Sequence, residues 1–270
     1  MIKRNPLACG GFVVLLLVTI AALIAPTITP HDPLGVDLAA MLKPPSTEHL
    51  LGTDELGRDI LSRLIYGGRI SLAVAVGSVV IALAVGLTIG LVTGYCRGWV
   101  DMTLMRLMDA IMSFPSLVLA LAIAAALGTK LINTIIAIGV VYIPQFARLA
   151  RGQVLTVREL AFVQASRGLG ASDTRLIFSH ILPNITKPVI VQVTLALGYA
   201  ILAEASLSFL GVGVQPPDPA WGTMLRMGYP YLTTASWLSI APGAAIFVVV
   251  MSMNFVGDGI GNIFSGYTKR

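Results

Sequence analysis

The chain has 270 residues, of which 56% are hydrophobic and only 11% are charged. Soluble domains carry about 25% charged residues, so this composition excludes an ordinary soluble enzyme or binding module and indicates an integral membrane protein. The net charge of +5 does not by itself indicate a nucleic-acid partner, because Lys and Arg in a membrane protein report its topology.

Six apolar runs predict an all-α polytopic membrane protein. A helix needs about 20 apolar residues to cross roughly 30 Å of hydrocarbon, and it satisfies its backbone polar groups internally. The first run is longer than the roughly 7 to 15 residues of a signal-peptide core, so we expect an uncleaved span. The predicted spans are residues 7–29, 72–95, 107–127, 131–147, 188–211 and 237–256.

The distribution of basic residues predicts that both termini are cytoplasmic. With this orientation, 12 of the 18 Lys and Arg residues lie on the cytoplasmic side, which the positive-inside rule favours. These twelve are Lys3, Arg4, Arg97, Arg106, Arg148, Arg151, Arg158, Arg167, Arg175, Lys187, Lys269 and Arg270. We therefore divide the chain into residues 1–70, a transmembrane helix plus an extracytoplasmic segment, and residues 71–270, a five-helix core.

The extracytoplasmic segment contains "GTDELGRD" (52–59), in which Gly52 and Gly57 permit tight turns. We expect this cluster to pack against its own chain or against a partner subunit. Its charged members, which can pair with one another, are Asp54, Glu55, Arg58 and Asp59.

Gly86, Gly90 and Gly94 recur every four residues in the second span and leave a flat stripe on which another helix can approach closely. The stripe serves either packing within the chain or contact with a second subunit, and the sequence alone leaves both open.

The cytoplasmic loop between spans four and five, about residues 148–187, is long and rich in basic residues. Its pattern predicts a helix near 156–167, a reversal at Gly168 and Gly170, and a second helix with Ser172 as its N-cap. We expect Pro183 to end that second helix. Three functions are compatible with this helical hairpin: an amphipathic hairpin that lies on the lipid surface, a helix-turn-helix that reads DNA, and a docking element for a soluble partner. Membrane spans on both sides argue against DNA.

Glu204 is the most deeply placed ionisable residue, where a charge costs about 3 kcal/mol. It lines a substrate path together with Ser206 and Ser208, or it hydrogen-bonds to those serines or to a neighbouring helix end. After span five, prolines stiffen an extended turn, and we expect Asp218 and Trp221 at the extracytoplasmic interface.

Motifs for catalysis by this chain are absent from the sequence. It has no GxxxxGK[ST], HExxH, CxxC or GxSxG pattern, so we expect no ATP hydrolysis, zinc site or serine-hydrolase site. His31, His49 and His180 are scattered in sequence and are expected to be capping or surface residues. Cys9 and Cys96 show no pairing logic.

Five segments carry a family resemblance. Gln164-Ala165-Ser166 followed by Gly170, and later Ile181-Leu182-Pro183, resembles the EAA-type loop of binding-protein-dependent ABC importer permeases, with Gln164, Ser166 and His180 departing from the general pattern. The dipeptide, oligopeptide and nickel permease branch, in its C-type subunit, is the nearest resemblance. The segments are "FVQASRGLGASDTRLIFSHILPN" (162–184), "HLLGTDELGRDILSRLIYGGRISL" (49–72), "MDAIMSFPSLVLAL" (108–121), "AEASLSFLGVGVQPPDPAWGTML" (203–225) and "NFVGDGI" (254–260).

The resemblance implies a type I importer permease (MetI-like) fold in the cytoplasmic membrane of a bacterium or archaeon. A second homologous permease, two ATPase subunits carrying ATP and Mg, and an extracytoplasmic binding protein are the implied partners, and this chain itself binds no cofactor. The implied ATPase-coupling residues are Glu159, Ala161, Phe162, Gln164, Ala165, Ser166, Arg167, Gly168, Gly170, His180 and Pro183. Without the resemblance, the alternative is an ion-gradient-driven secondary transporter or channel subunit, with Glu204 and Asp109 as relay groups.

Overall fold

The computed structural model describes residues 6–266, and within that range the chain is helical apart from connecting segments and one isolated bridge between Thr53 and Asp59. The helices are α1 Pro6–Leu23, α2 Ala25–Ile28, α3 Ile60–Cys96, α4 Gly98–Met112, α5 Ser116–Leu127, α6 Leu131–Val157, α7 Ala161–Gly168, α8 Asp173–Arg175, α9 Leu182–Phe209, α10 Trp221–Gly228 and α11 Trp237–Gly266. Lys3, Arg4, Lys269 and Arg270, which the orientation argument uses, lie outside the described residues.

Five long helices, α1, α3, α6, α9 and α11, are long and apolar enough to cross a membrane, and α4 with α5 makes a sixth when counted as one bent span. The all-α, multi-spanning prediction is confirmed. The two helices of this pair meet at 91°, so the span expected near residues 107–127 is broken rather than continuous. The break falls at Pro115, which has no backbone N–H and disfavours a helical residue before it.

Several helices are longer than their apolar runs. α3 begins at Ile60, where the carboxylate of Asp59 accepts a hydrogen bond from the Ser62 backbone N–H at 2.8 Å. A side-chain cap of this kind starts a helix in polar sequence that hydropathy does not mark. α3 therefore runs continuously across residue 70, where the sequence suggests a division of the chain; that division stays a prediction.

The centre of the fold is the packing of α3 against α6. A Cβ atom added at Gly90 would lie 2.5 Å from the Cβ of Ala150, and the nearest α6 atoms to Cβ atoms at Gly86 and Gly94 would be 2.6 and 2.7 Å away. The glycine stripe therefore packs within the chain, because only a missing side chain lets the two backbones approach this closely.

Candidate functional site

The loop between α6 and α9 is a short exposed helix held by a turn. α6 ends at Val157, and α7 occupies Ala161–Gly168, so the predicted continuous helix over 156–167 is interrupted at residues 158–160. Gly170 has a φ of +84°, whereas Gly168 is the last residue of α7 and lacks a positive φ. Only one of the two glycines thus makes the left-handed reversal.

The second half of the loop differs from the expected helix and stop. Ser172 caps α8 by accepting a hydrogen bond from the Arg175 backbone N–H at 3.4 Å, as predicted. The chain then continues through a π-helical turn, Leu176–Ile181, directly into α9, and Pro183 is the second residue of α9. The prediction that Pro183 ends the helix is wrong, because the π-helical turn directly before it already shifts the backbone hydrogen bonds out of the regular α-helical register: the Leu182 N–H bonds to the Ile177 carbonyl, five residues back.

A small apolar core lies beneath α7. Val163 on α7 is buried, and it belongs to the same cluster as Leu176 and Ile181 of the π-helical turn and Val154 of α6. The loop therefore has a fixed position relative to the ends of α6 and α9, since its buried side chains pack on both.

Tyr95, at the end of α3, is a third attachment point for the loop. The guanidinium carbons of Arg158 and Arg167 lie 5.8 and 5.7 Å from its ring centroid, a distance typical of cation–π contacts. Its hydroxyl hydrogen-bonds to a carboxylate oxygen of Asp173. Arg158 also donates to the Tyr95 backbone carbonyl at 2.8 Å, which satisfies an acceptor at the helix C-terminus.

Sequence reasoning did not find Tyr95. Its position at the end of a predicted span marks it as an aromatic belt residue, which gives no indication of contacts with Arg167 across 72 positions of sequence. Glu159, by contrast, was expected in the loop, and it pairs with Arg97 at 2.8 Å.

The outward surface of the loop is apolar and accessible. Leu169 is 90% exposed, Phe178 61% and Phe162 46%. Phe162 also packs edge-on against His180, whose Nε2 lies 3.2 Å from the Ser166 hydroxyl. Exposed aromatic and aliphatic side chains beside a rigid turn form a surface suited to docking in a cleft.

Among the other loop residues assigned from the resemblance, Gln164 donates to the Arg158 carbonyl at 2.7 Å and so ties α7 to the preceding break. Ala161 and Ala165 are exposed on α7.

Glu204 is fully buried and bonded within the chain. Its two carboxylate oxygens accept hydrogen bonds from the hydroxyls of Ser71 and Ser208, each at 2.8 Å. Ser206 instead donates to the Leu202 carbonyl at 2.7 Å and borders a cavity between α5, α6 and α9. Of the three residues expected along a substrate path, only Ser206 faces open space.

The "GTDELGRD" cluster is an internal structural element. Asp54 accepts from Arg58 Nε at 2.7 Å, and both side chains are about 96% buried. Asp59 pairs with His49 at 3.0 Å rather than within the cluster. A Cβ at Gly57, whose φ is +71°, would lie 1.7 Å from the Asp37 carbonyl oxygen, so only glycine fits.

Of the two packings expected for this cluster, against its own chain or against a partner subunit, the structure shows Asp54, Arg58 and Asp59 buried within the chain. Trp221 is also only 2% exposed, and its indole N–H donates to the Leu64 carbonyl at 2.9 Å, so it anchors α10 to α3; its place at the extracytoplasmic interface stays a prediction. Asp218 alone of the five expected interface residues is exposed.

Two histidines that are distant in sequence meet in the outer segment. The rings of His31 and His49 lie 4.7 Å apart, and their nitrogens and the Asp59 carboxylate are within 4.8 Å of one another. The Asp59 carboxylate is already committed to His49 and to the cap of α3 through Ser62. His49 is buried and hydrogen-bonds to the residue that caps α3, so it is neither a capping residue itself nor a surface residue.

Comparison with known proteins gives the family. The description "Binding-protein-dependent transport system inner membrane component" matches residues 86–268, and "N-terminal TM domain of oligopeptide transport permease C" matches residues 1–45. The chain is 47% identical over 263 residues to the di/tripeptide transport system permease protein DppC of Pseudomonas aeruginosa, covering 95% of this chain and 87% of that protein.

A second relative is the dipeptide transport system permease protein DppC of Alkalihalophilus pseudofirmus, 43% identical over 259 residues, with coverage of 96% of this chain and 85% of that protein. In fold, the chain resembles a subunit of the MetNI methionine ABC transporter solved in inward-facing conformations, with a TM-score of 0.60, 19% identity, and coverage of 73% of this chain and 94% of that one. The chain therefore belongs to the family of binding-protein-dependent transport system inner membrane components.

Proposed function

We propose that this chain is a permease subunit of an ATP-driven importer for dipeptides and oligopeptides, or for a related small cargo such as glutathione or a nickel chelate. The two relatives are named as dipeptide and di/tripeptide transport permeases, and their similarity extends over nearly the whole chain. In this proposal the chain is not itself an enzyme, and it forms the translocation path together with a second homologous permease.

The observation that carries the proposal is the loop around α7. Its helix projects exposed apolar side chains, while its underside and Tyr95 hold it to α3, α6 and α9. A displacement of α7 would therefore move three spanning helices together, because packed elements shift as rigid bodies. A membrane subunit that is driven by a soluble ATPase requires such a rigid connection between its docking surface and its spanning helices.

The partners follow from that surface. Two ATPase subunits would bind ATP and Mg, and a cleft in one of them would receive α7. An extracytoplasmic binding protein would deliver the cargo to the opposite side. This assembly requires the loop to be cytoplasmic, in agreement with the basic residues Arg158, Arg167 and Arg175.

The arrangement of the acidic residues favours this proposal over an ion-gradient-driven transporter. Glu204 has no exposed surface and is bonded to two serines, and Asp109 is paired with Arg148. A relay group must alternate its access between the two sides of the membrane. Glu204 has no access to either side in this conformation, and Asp109 is exposed but held by its ion pair with Arg148.

The experiment that tests the function is purification of the tagged chain from its native membrane, followed by reconstitution with its co-purifying proteins in liposomes. We expect a second permease and ATPase subunits to co-purify. Uptake of a labelled mixture of dipeptides and tripeptides should then require ATP and the binding protein, and it should persist when ionophores collapse ion gradients. Uptake by the chain alone under an ion gradient would contradict the proposal.

A further inference from the structure

A cavity of about 170 Å³ opens between α5, α6 and α9. Its lining combines apolar side chains with the hydroxyl groups of Ser116, Tyr142, Tyr199 and Ser206, and every lining residue is uncharged. The two tyrosines come from different helices, α6 and α9, so the tertiary packing alone brings them to one cavity.

Both tyrosines lie deep along their helices. At 1.5 Å per residue, Tyr142 is about 16 Å from the start of α6 at Leu131, and Tyr199 is about 15 Å from the end of α9 at Phe209. The hydrocarbon layer is about 30 Å thick, so these side chains lie near its middle. Tyrosines in membrane proteins concentrate instead at the two interfaces, where the hydroxyl reaches water.

The two hydroxyls have no partner within the chain. Over residues 6–266, neither Tyr142 nor Tyr199 makes a hydrogen bond. A hydroxyl without a partner costs free energy in an apolar medium. These two hydroxyl groups therefore require a hydrogen-bond partner from outside the chain.

The bent span indicates what they face. The break between α4 and α5 at residues 113–115 adjoins Ser116, which lines the same cavity and lies about 16 Å from the end of α5 at Leu127. Non-helical backbone at membrane depth occurs only where it is buried in protein or lines an aqueous path. The break is exposed in this chain, so in the membrane a second subunit or an aqueous path must face it.

We propose that Tyr142 and Tyr199 form a contact point on the translocation path, where their hydroxyls hydrogen-bond to peptide groups of the cargo in transit. The inference rests on the proposed function and adds to it the substrate chemistry of the site. A phenol hydroxyl both donates to a carbonyl and accepts from an N–H, so it recognises the peptide unit whatever the cargo side chains are. Because the lining is uncharged, it forms no ion pair with the charged terminus of a peptide, so the cargo can be released from it.

The test uses the complete reconstituted transporter with Tyr142→Phe, Tyr199→Phe and the double variant, which remove only the hydroxyls. Tyr66→Phe is the matched control, because Tyr66 lies outside the cavity lining and its ring stays over Arg69. Uptake of labelled dipeptides and tripeptides per ATP hydrolysed should fall about three- to tenfold for each hydroxyl removed, as expected for one lost hydrogen bond. The control should match the unmodified transporter.

A second measurement separates a path from a subunit contact. In a background with Cys9 and Cys96 replaced, Tyr199→Cys should react with a small thiol reagent, and peptide under turnover should slow this labelling. Unchanged uptake by both single variants, or labelling unaffected by peptide, would overturn the inference while the proposed function stands. Loss of the second permease from the Tyr142→Phe complex would also overturn it, because the hydroxyl would then serve subunit contact. If the unmodified transporter lacks ATP-dependent uptake, the proposed function itself fails.

Discussion

Replacing Gly170 by alanine tests the coupling surface most directly. Gly170 has a φ of +84°, and no atom lies within 4 Å of the position that its Cβ would occupy. The methyl group would therefore meet no neighbour, and the whole cost arises in the backbone. A left-handed conformation costs an L-residue about 1 to 2 kcal/mol, which shifts the population of the native turn by a factor of about 5 to 30.

Gly168→Ala is the matched control. It also has no atom within 4 Å of its added Cβ, yet it lies in α7 without a positive φ. Alanine there should favour the helix by about 0.5 to 1 kcal/mol. We expect Gly170→Ala to reduce ATP-dependent peptide uptake in proteoliposomes about 5- to 30-fold at equal amounts of membrane protein, and Gly168→Ala to retain full uptake.

Two results would refute this reasoning. Equal uptake by Gly170→Ala and the unmodified protein would show that the turn conformation does not matter for coupling. Equal losses in the two alanine variants would show that any added side chain on this surface interferes with docking, independently of backbone strain.

Three further substitutions probe the structure elsewhere. Tyr95→Ala should lower uptake through the loss of two cation–π contacts of about 0.5 to 1 kcal/mol each, whereas Tyr95→Phe keeps the ring and should retain most activity; equal defects would contradict the stacking argument. Gly90→Ala places a Cβ 2.6 Å from the Ala147 carbonyl oxygen and should destabilise the purified protein by about 1 to 3 kcal/mol in thermal unfolding, unlike Gly10→Ala, which has open space. Glu204→Ala leaves two buried serine hydroxyls without their acceptor and should cost about 1 to 3 kcal/mol, with unchanged cargo preference; altered preference at unchanged stability would instead indicate substrate contact.

The sequence by itself determined the features that depend on local composition. Apolar runs identify the spans, the four-residue recurrence of Gly86, Gly90 and Gly94 predicts a close helix contact, and Gly170 and Ser172 predict the turn and cap of the loop. Each of these signals lies within a single continuous segment of the chain, so the local sequence suffices to predict the feature.

The tertiary structure alone decided which side chains meet. Glu204 bonds to Ser71 across 133 positions of sequence, and Tyr95 reaches Arg167 across 72. The sequence analysis singled out Glu204 but left its hydrogen-bond partners open, and it did not predict that Trp221 would be buried against α3. Hydropathy is a property of each segment, whereas burial and bonding depend on the segment that packs opposite, and that choice is made only when the whole chain has folded.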